Sequence, residues 1–431
     1  MARNRFLILF LLLVVVAACQ KKEVELLRFP YPYQAAFTIC SDIDNTETLP
    51  EFTTIQEYLC SHQQTALGKG LGLPVGNSFW MDNQLLRTGR SQDFSQPNPD
   101  YGISYNSALE DSSSAVRQTI KEFVQKGWID CLHSYGHFSN TGFNRKLAKD
   151  FVQTMQQDSL FVDVFSDHGG TENLHSLGHR KHQLGDNPEA EVYHADITQD
   201  YGIKFLWDGQ LSHSIGLSGD FSCENFLKTS LEAGQDWLNS AFSYQHNGEV
   251  AYPITLDDGS KIYRFVRYLN DRSHYDTADI NFLDEQLNDK VLQKLVKNRG
   301  YLLYYTHLGA NSGFPYLKEE TKQQLHKIKD LYEQKKLWVA STSKLLNYFV
   351  VHKNLNWQVI MASDQVRIEI EKSNDPVWGE YLPSLQQLQG ISFRVPKNSK
   401  VEIVVKNQKL PINYHQNALA DYDFVTIGGE L

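Results

Sequence analysis

Cysteine is scarce in this chain: there are five among 431 residues, Cys19, Cys40, Cys60, Cys131 and Cys223. That number excludes a small disulfide-built scaffold, and the spacings match no cysteine zinc cluster. Positive charge is also short. Lys and Arg number 41 against 51 Asp and Glu, a formal net charge of −10. A general nucleic-acid binder needs a basic footprint, so that class is set aside. Long apolar runs are missing beyond the first residues. The run at the N-terminus, Phe6 to Ala18, is too short to cross a bilayer as an ordinary helix. No repeat of solenoid period runs through the sequence.

What remains is an ordinary globular composition, 41% hydrophobic and 21% charged, with length enough for two or three domains. Aromatic residues reach 12%. Large cores and sheets use such residues first, and carbohydrate sites use them as well.

Arg3 and Arg5 precede the apolar run, which ends Val16-Ala17-Ala18-Cys19. A positive start, a short apolar stretch and small residues define a secretory signal. The last four residues resemble a bacterial lipobox. That resemblance implies cleavage before Cys19, lipidation of its thiol and export to the bacterial cell envelope, the outer membrane or cell surface in a Gram-negative cell. Residues 1–18 are then the signal peptide and residues 19–30 a polar tether, with the membrane met through the lipid only. Export permits disulfides. Cys40 and Cys131, at the ends of apparent strands, read as buried free thiols.

Along the chain, strand and helix patterns alternate. Gln34 to Cys40 reads as a buried strand, and residues 68–114 as long loops rich in Gly, Asn, Ser, Pro and Asp. Ala115 to Lys126 carries Val116, Ile120, Phe123 and Val124 on one helical stripe, ended by Gly127. Strands are expected at Trp128–Leu132, Leu160–Phe165, Gly202–Trp207, Lys261–Leu269, Tyr301–Tyr305 and Leu337–Ala340. Helices are expected at Arg145–Gln157, Leu283–Lys297 and Leu317–Lys335. This alternation predicts an α/β domain with a parallel sheet, over residues 31–350. From residue 354 to 431 the pattern changes to period two, as in Val366–Glu371 and Ile391–Val395, which predicts a small all-β, sandwich-like domain.

The chemistry-bearing residues fall just after strand ends, where α/β barrels place their sites. His133-Ser134-Tyr135-Gly136-His137 offers two imidazoles, the commonest nitrogen ligands of zinc-like metals. Asp42-Ile43-Asp44 offers two carboxylates after the first strand, and Thr306-His307 closes a late one. A catalytic metal site needs three protein ligands and an open position.

This order of motifs resembles the NodB-type polysaccharide deacetylases, carbohydrate esterase family 4, over about Tyr31 to Val350. The resemblance implies a distorted (β/α)7 barrel and one divalent metal held by Asp44, His133 and His137. It also implies Asp42 as catalytic base and His307 as general acid. The family's two aspartates are adjacent, whereas Ile43 separates these, and the reverse assignment of Asp42 and Asp44 stays open. The family's Arg-x-Pro motif has no counterpart at Phe165-Ser166-Asp167-His168-Gly169-Gly170. Its Asp-Trp motif has only Asp196 and Trp207-Asp208 as stand-ins. Zinc is the first expectation for the metal, with cobalt, nickel and manganese compatible.

The function expected is metal-dependent removal of acetyl or other acyl groups from a polysaccharide or glycan at the cell envelope. Two alternatives stand beside it: a non-catalytic glycan-binding lipoprotein on the same barrel, and a glycoside hydrolase pairing Asp42 with Asp167 or Asp208. His168, Asn173 and Trp207 are the expected substrate contacts. His175-Ser-Leu-Gly-His179 repeats the histidine spelling, with His182 nearby, and reads as a polar surface loop.

Overall fold

The computed structural model of the chain describes residues 24–44, 46, 48–83, 103–106, 113–138, 142–167, 173–178, 183–239, 248–270, 278–309 and 313–429. Cys19 with the signal region, and His168, His179 and His182, lie outside them. No helix among the described residues is long and apolar enough to cross a membrane. The chain divides into two compact units. One is Pro32–Val350 with Asp375–Gly379; the other is Val351–Asn374 and Glu380–Leu431 with the residues up to Tyr31.

The larger unit is mixed α/β and built mainly on parallel strands. These are β1 (Ala35–Asp42), β2 (Ser78–Phe79), β3 (Cys131–Leu132), β4 (Val164–Ser166), β5 (Phe205–Trp207), β6 (Lys261–Phe265), β7 (Arg267–Tyr268), β8 (Tyr301–His307) and β9 (Leu337–Val339). β2 pairs β3, β3 pairs β4, β4 pairs β5 and β5 pairs β6, all parallel. β7 pairs β8, and β1 pairs both β8 and β9, again parallel. An isolated parallel bridge joins Cys40 of β1 to Gly76, just before β2. Every residue of β1 is buried, the signature of a parallel strand covered on both faces. The β1–β8 register sets His307 opposite Asp42, so pairing alone brings two candidate site residues side by side.

Helices cover these strands. Leu49–Cys60 starts at Thr48, whose side chain accepts from the Glu51 amide, with Pro50 in the first turn. Its Phe52, Ile55, Tyr58 and Leu59 are buried at helical spacing. Arg145–Gln157 is capped by Asn144. The single helix expected from Leu283 to Lys297 is two pieces, Leu283–Gln286 and Asp289–Asn298. Asn288 explains the break: its side chain accepts from the amides of Lys290 and Val291, a cap that competes with helix continuation.

The smaller unit contains two sheets. One has the order Glu25–Leu27, Ser392–Pro396, Tyr422–Ile427, Ile412–His415, and is antiparallel throughout. The other runs Leu355–Ala362, Gln365–Asp375, Lys400–Val405, Gln408–Lys409. The segment read from the sequence as a tether is therefore a sheet edge over Glu25–Leu27. The short Leu26-Leu27 pair satisfies its backbone on Ser392–Arg394, and Glu25 forms an ion pair with Arg394 at 2.6 Å.

Candidate metal centre

Ile43 is fully buried in the core between two aspartates. The strand ends at Asp42, and the chain bends at Ile43 and turns at Asp44; with Ile43 buried, the carboxylates of Asp42 and Asp44 come within 4.8 Å of each other.

The two carboxylates meet different partners. Asp42 Oδ1 accepts from Ser166 Oγ at 2.6 Å and from Arg267 Nη2 at 2.9 Å, while its Oδ2 accepts from Arg267 Nη1 at 2.8 Å. This is a bidentate fork. Arg267, which also donates to Ser166 Oγ, is fully buried. Its guanidinium carbon lies 3.8 Å from the Trp207 ring centre and 5.0 Å from that of Tyr305, so the cation is desolvated between aromatic faces. Burial disfavours its charge, and the attraction of Asp42 outweighs that and holds it protonated.

Asp44 faces imidazoles. Its Oδ2 lies 3.1 Å from His133 Nε2 and 3.6 Å from His307 Nε2. His133 Nδ1 donates to the Ser166 carbonyl at 2.7 Å, which leaves the lone pair on Nε2 aimed at Asp44. A carboxylate oxygen and an imidazole lone pair at that distance need a proton or a cation between them. A proton on His133 meets that need. Burial opposes it, but Asp44 and then Asp42 outweigh burial and push His133 up to about 9. Burial holds His307 below the ordinary imidazole value, and the two aspartates offset only part of that.

Asp42, Asp44 and His307 each offer a ligand atom, and these atoms lie within 4.8 Å of one another. The donors are oxygen and nitrogen, buried and convergent at strand ends. That set fits a divalent cation of the zinc-like series.

The expected trio was Asp44, His133 and His137. Asp44 and His133 do meet. His137 is buried, with Nδ1 3.2 Å from Asn173 Nδ2. Asn173 Oδ1 accepts from the Phe138 amide at 2.9 Å, which fixes the amide so that its NH2 donates to His137. The backbone explains the turn: Ser134 has φ 56° and Gly136 φ 146°. A Cβ on Gly136 would lie 1.6 Å from the Asp82 carbonyl oxygen, so only glycine lets this segment pair with Asp82–Asn83. Trp80 stacks beneath both imidazoles, 5.3 Å from the His133 ring and 6.5 Å from that of His137.

The expected substrate contacts fare differently. Asn173 is fully buried and committed to Phe138 and His137. Trp207 is 5% exposed, donates its indole N–H to Gln210 and lends its face to Arg267. It supports the Asp42–Arg267 pair rather than offering an open platform. His168 is not among the described residues. Asp196, a stand-in for the missing motif, pairs with Arg145 at 2.5 Å.

His175, read as part of a surface loop, is 1% exposed. Its Nε2 lies 3.0 Å from Ser134 Oγ, and its ring stacks on Phe143 at 4.4 Å. It braces the His133–His137 turn. Behind it, His194 Nε2 donates to the His175 carbonyl at 2.7 Å, and Thr198 Oγ1 lies 2.7 Å from His194 Nδ1. Burial pushes His194 down to about 4. The unfolded chain, with histidine near 6.5, takes up this proton first on acidification. Stability is therefore full above about pH 6.5 and falls towards pH 4, by about 3 kcal/mol from this group. Urea unfolding of the parent and His194→Gln at pH 7 and pH 4.5 checks it: the variant should lose less on acidification. Equal losses would remove His194 from the account.

Sequence reasoning overlooked Arg267, Ser166 and Trp80. Arg267 had a signal: Ile262-Tyr-Arg-Phe-Val-Arg-Tyr-Leu269 places two arginines inside an apolar strand. Buried cations require buried acids. Arg264 pairs with Asp208 at 2.6 Å, and Arg267 with Asp42.

No family model and no curated protein sequence matches the chain. Among solved structures, a 4-alpha-glucanotransferase from Thermococcus litoralis aligns with a TM-score of 0.36 and 9% identity, covering 72% of this chain. The alignment covers 39% of that enzyme, so the chain spans well under half of its length. A likeness this distant carries no argument about function.

Proposed function

We propose that this chain is a metal-dependent hydrolase that removes acyl groups from a glycan, on a closed parallel barrel of the deacetylase type. The observation that carries the reading is the convergence of Asp42, Asp44 and His307 at strand ends, with His133 against Asp44. Strand pairing supports the barrel. From β1 the ladder passes through Gly76 and β2 to β3, β4, β5 and β6, continues across Val266 into β7 and β8, and returns to β1.

On this reading Asp44 and His133 lead the ion's ligand set, and His307, across Asp44 Oδ2, is the proton-carrying residue and not a ligand. Asp42 is the poorer ligand, because both its oxygens are engaged by Arg267 and Ser166. The same contacts aim it as a general base. A bound divalent ion, zinc first and cobalt, nickel or manganese by the same donor logic, supplies Lewis-acid polarisation of an acyl carbonyl. Asp42 takes the proton of the attacking water, and Arg267 keeps its carboxylate oriented. His307 passes to the departing amine or alkoxide the proton that Asp42 takes from the water, so no net proton is consumed. The products are a carboxylic acid such as acetate and the freed sugar.

The glycosidase alternative would need Asp167 or Asp208 to act beside Asp42. Asp167 Oδ2 accepts from the Leu177 amide at 2.6 Å, Asp208 is ion-paired with Arg264, and both aspartates are 1% exposed. Attachment to the cell envelope through Cys19 is part of the same proposal and supplies the setting, an acylated envelope or captured polysaccharide.

The test is acetate release from acetylated xylan and from N-acetylated chitooligosaccharides. Release should stop with a chelator and return with zinc or cobalt. Full metal loading with no release from any acylated glycan would overturn the hydrolase reading and leave a glycan-binding protein.

A further inference from the structure

The smaller unit has a cavity of about 520 Å³ lined by Glu25, Leu26, Trp357 and Arg394. Its volume lies within the ~300–1,000 Å³ typical of small-molecule sites. Glu25 and Leu26 lie on the free edge of one sheet, and Trp357 on the free edge of the other. The cavity therefore opens along a side of the unit where neither sheet continues.

Three features equip it. The ladder between Leu355–Ala362 and Gln365–Asp375 is irregular at Trp357, where Glu371 of the partner strand is the extra residue, and such a bulge adds local twist to the pair. The half-buried Trp357 is braced edge-on by the buried Phe393, ring centres 5.0 Å apart at 68°, so the indole is held in place without losing its opening to the cavity. Across from it, Arg394 is fixed twice, by the ion pair to Glu25 at 2.6 Å and by the Tyr422 ring at 5.2 Å.

The chemistry selects a ligand class. A flat aromatic face suits the apolar face of a pyranose ring, and a guanidinium beside a carboxylate offers donors and acceptors to neighbouring hydroxyls. The wall is internally neutralised. An anionic ligand meets Glu25 and a cationic one meets Arg394, so neither charge is favoured. We infer that this cavity is a binding site for an uncharged segment of polysaccharide, with Trp357 as stacking platform and the Glu25–Arg394 pair as the polar wall. The inference rests on none of the metal-centre residues.

The experiment is native-gel retardation of the purified full chain in gels containing xylan, pullulan, laminarin, galactomannan or polygalacturonate, with chelator present. At least one neutral polymer should retard the parent and Asp44→Asn alike. Trp357→Ala should weaken that retardation about tenfold, as loss of a central aromatic contact does. Trp357→Phe should recover part of it, and Glu25→Gln should weaken it with unchanged thermal unfolding. Retardation by no neutral polymer, by polygalacturonate alone, or to an equal degree in Trp357→Ala would overturn the site. Retardation lost in Asp44→Asn would assign the binding to the metal centre instead, overturning this inference while leaving the hydrolase reading intact.

Discussion

Asp44→Asn should leave the protein without its divalent ion and lower acyl-hydrolase activity by about 10³-fold or more, since Lewis-acid catalysis supplies several kcal/mol of the barrier. Asp44 Oδ2 is the atom that both His133 and His307 approach, at 3.1 and 3.6 Å. Converting that carboxylate to an amide removes the charge on which the ligand set is centred and keeps its size. Asp42→Asn provides the contrast. Its oxygens are occupied by Arg267 and Ser166, so the ion should remain while activity falls by about 10²–10⁴, the range of a lost general base. Metal analysis of the two purified variants beside the parent decides the matter. If Asp42→Asn sheds the ion and Asp44→Asn keeps it, the roles are reversed; if the parent binds no divalent ion at all, the hydrolase reading fails.

The sequence made the elements legible wherever burial follows a single period. Arg145–Gln157 has the bounds its period predicts, and the strand expected at Leu337–Ala340 is found at Leu337–Val339. The positions of Asp42, His133 and His307 at strand ends followed from the same alternation. What could not be read was which atoms face which. The two-residue spacing of Asp42 and Asp44 departs from the adjacent pair, and only the bend at Ile43 and the turn at Asp44 bring their carboxylates within 4.8 Å. The spacing of His133 and His137 looked like a ligand pair; the backbone at Ser134 and Gly136 sets both imidazoles against Trp80 and brings His137 Nδ1 to Asn173. Such turns depend on a neighbour from a distant segment, here Asp82, and nothing local encodes it. Arg267 is the reverse case. The Arg-x-Pro motif has no counterpart after Phe165, but an arginine from another strand reaches the Asp42 carboxylate. A motif search along one segment misses it, whereas the rule that a buried cation needs a buried acid finds the pair.

Arg267→Met should therefore be among the most damaging single changes in the larger unit. Both members of the Arg267–Asp42 pair are at most 1% exposed. Removing one partner of a buried ion pair leaves the other charge uncompensated, which typically costs about 3–5 kcal/mol. The Trp207 and Tyr305 faces lose their cation in the same step. Urea unfolding should register the loss, and the double variant Asp42→Asn/Arg267→Met should regain part of it, because its remaining groups carry no unmatched charge. Arg267→Lys keeps the charge but not the fork, so it should fold better than Arg267→Met and still lose most activity. The ion supplies the sharper discrimination. If Arg267 acts through Asp42 alone, the folded Arg267→Lys protein should bind one divalent ion as the parent does, with activity reduced about as far as in Asp42→Asn. Loss of the ion in Arg267→Lys would mean that Asp42 is itself a ligand that Arg267 holds in place, and the base would have to be sought elsewhere at the strand ends.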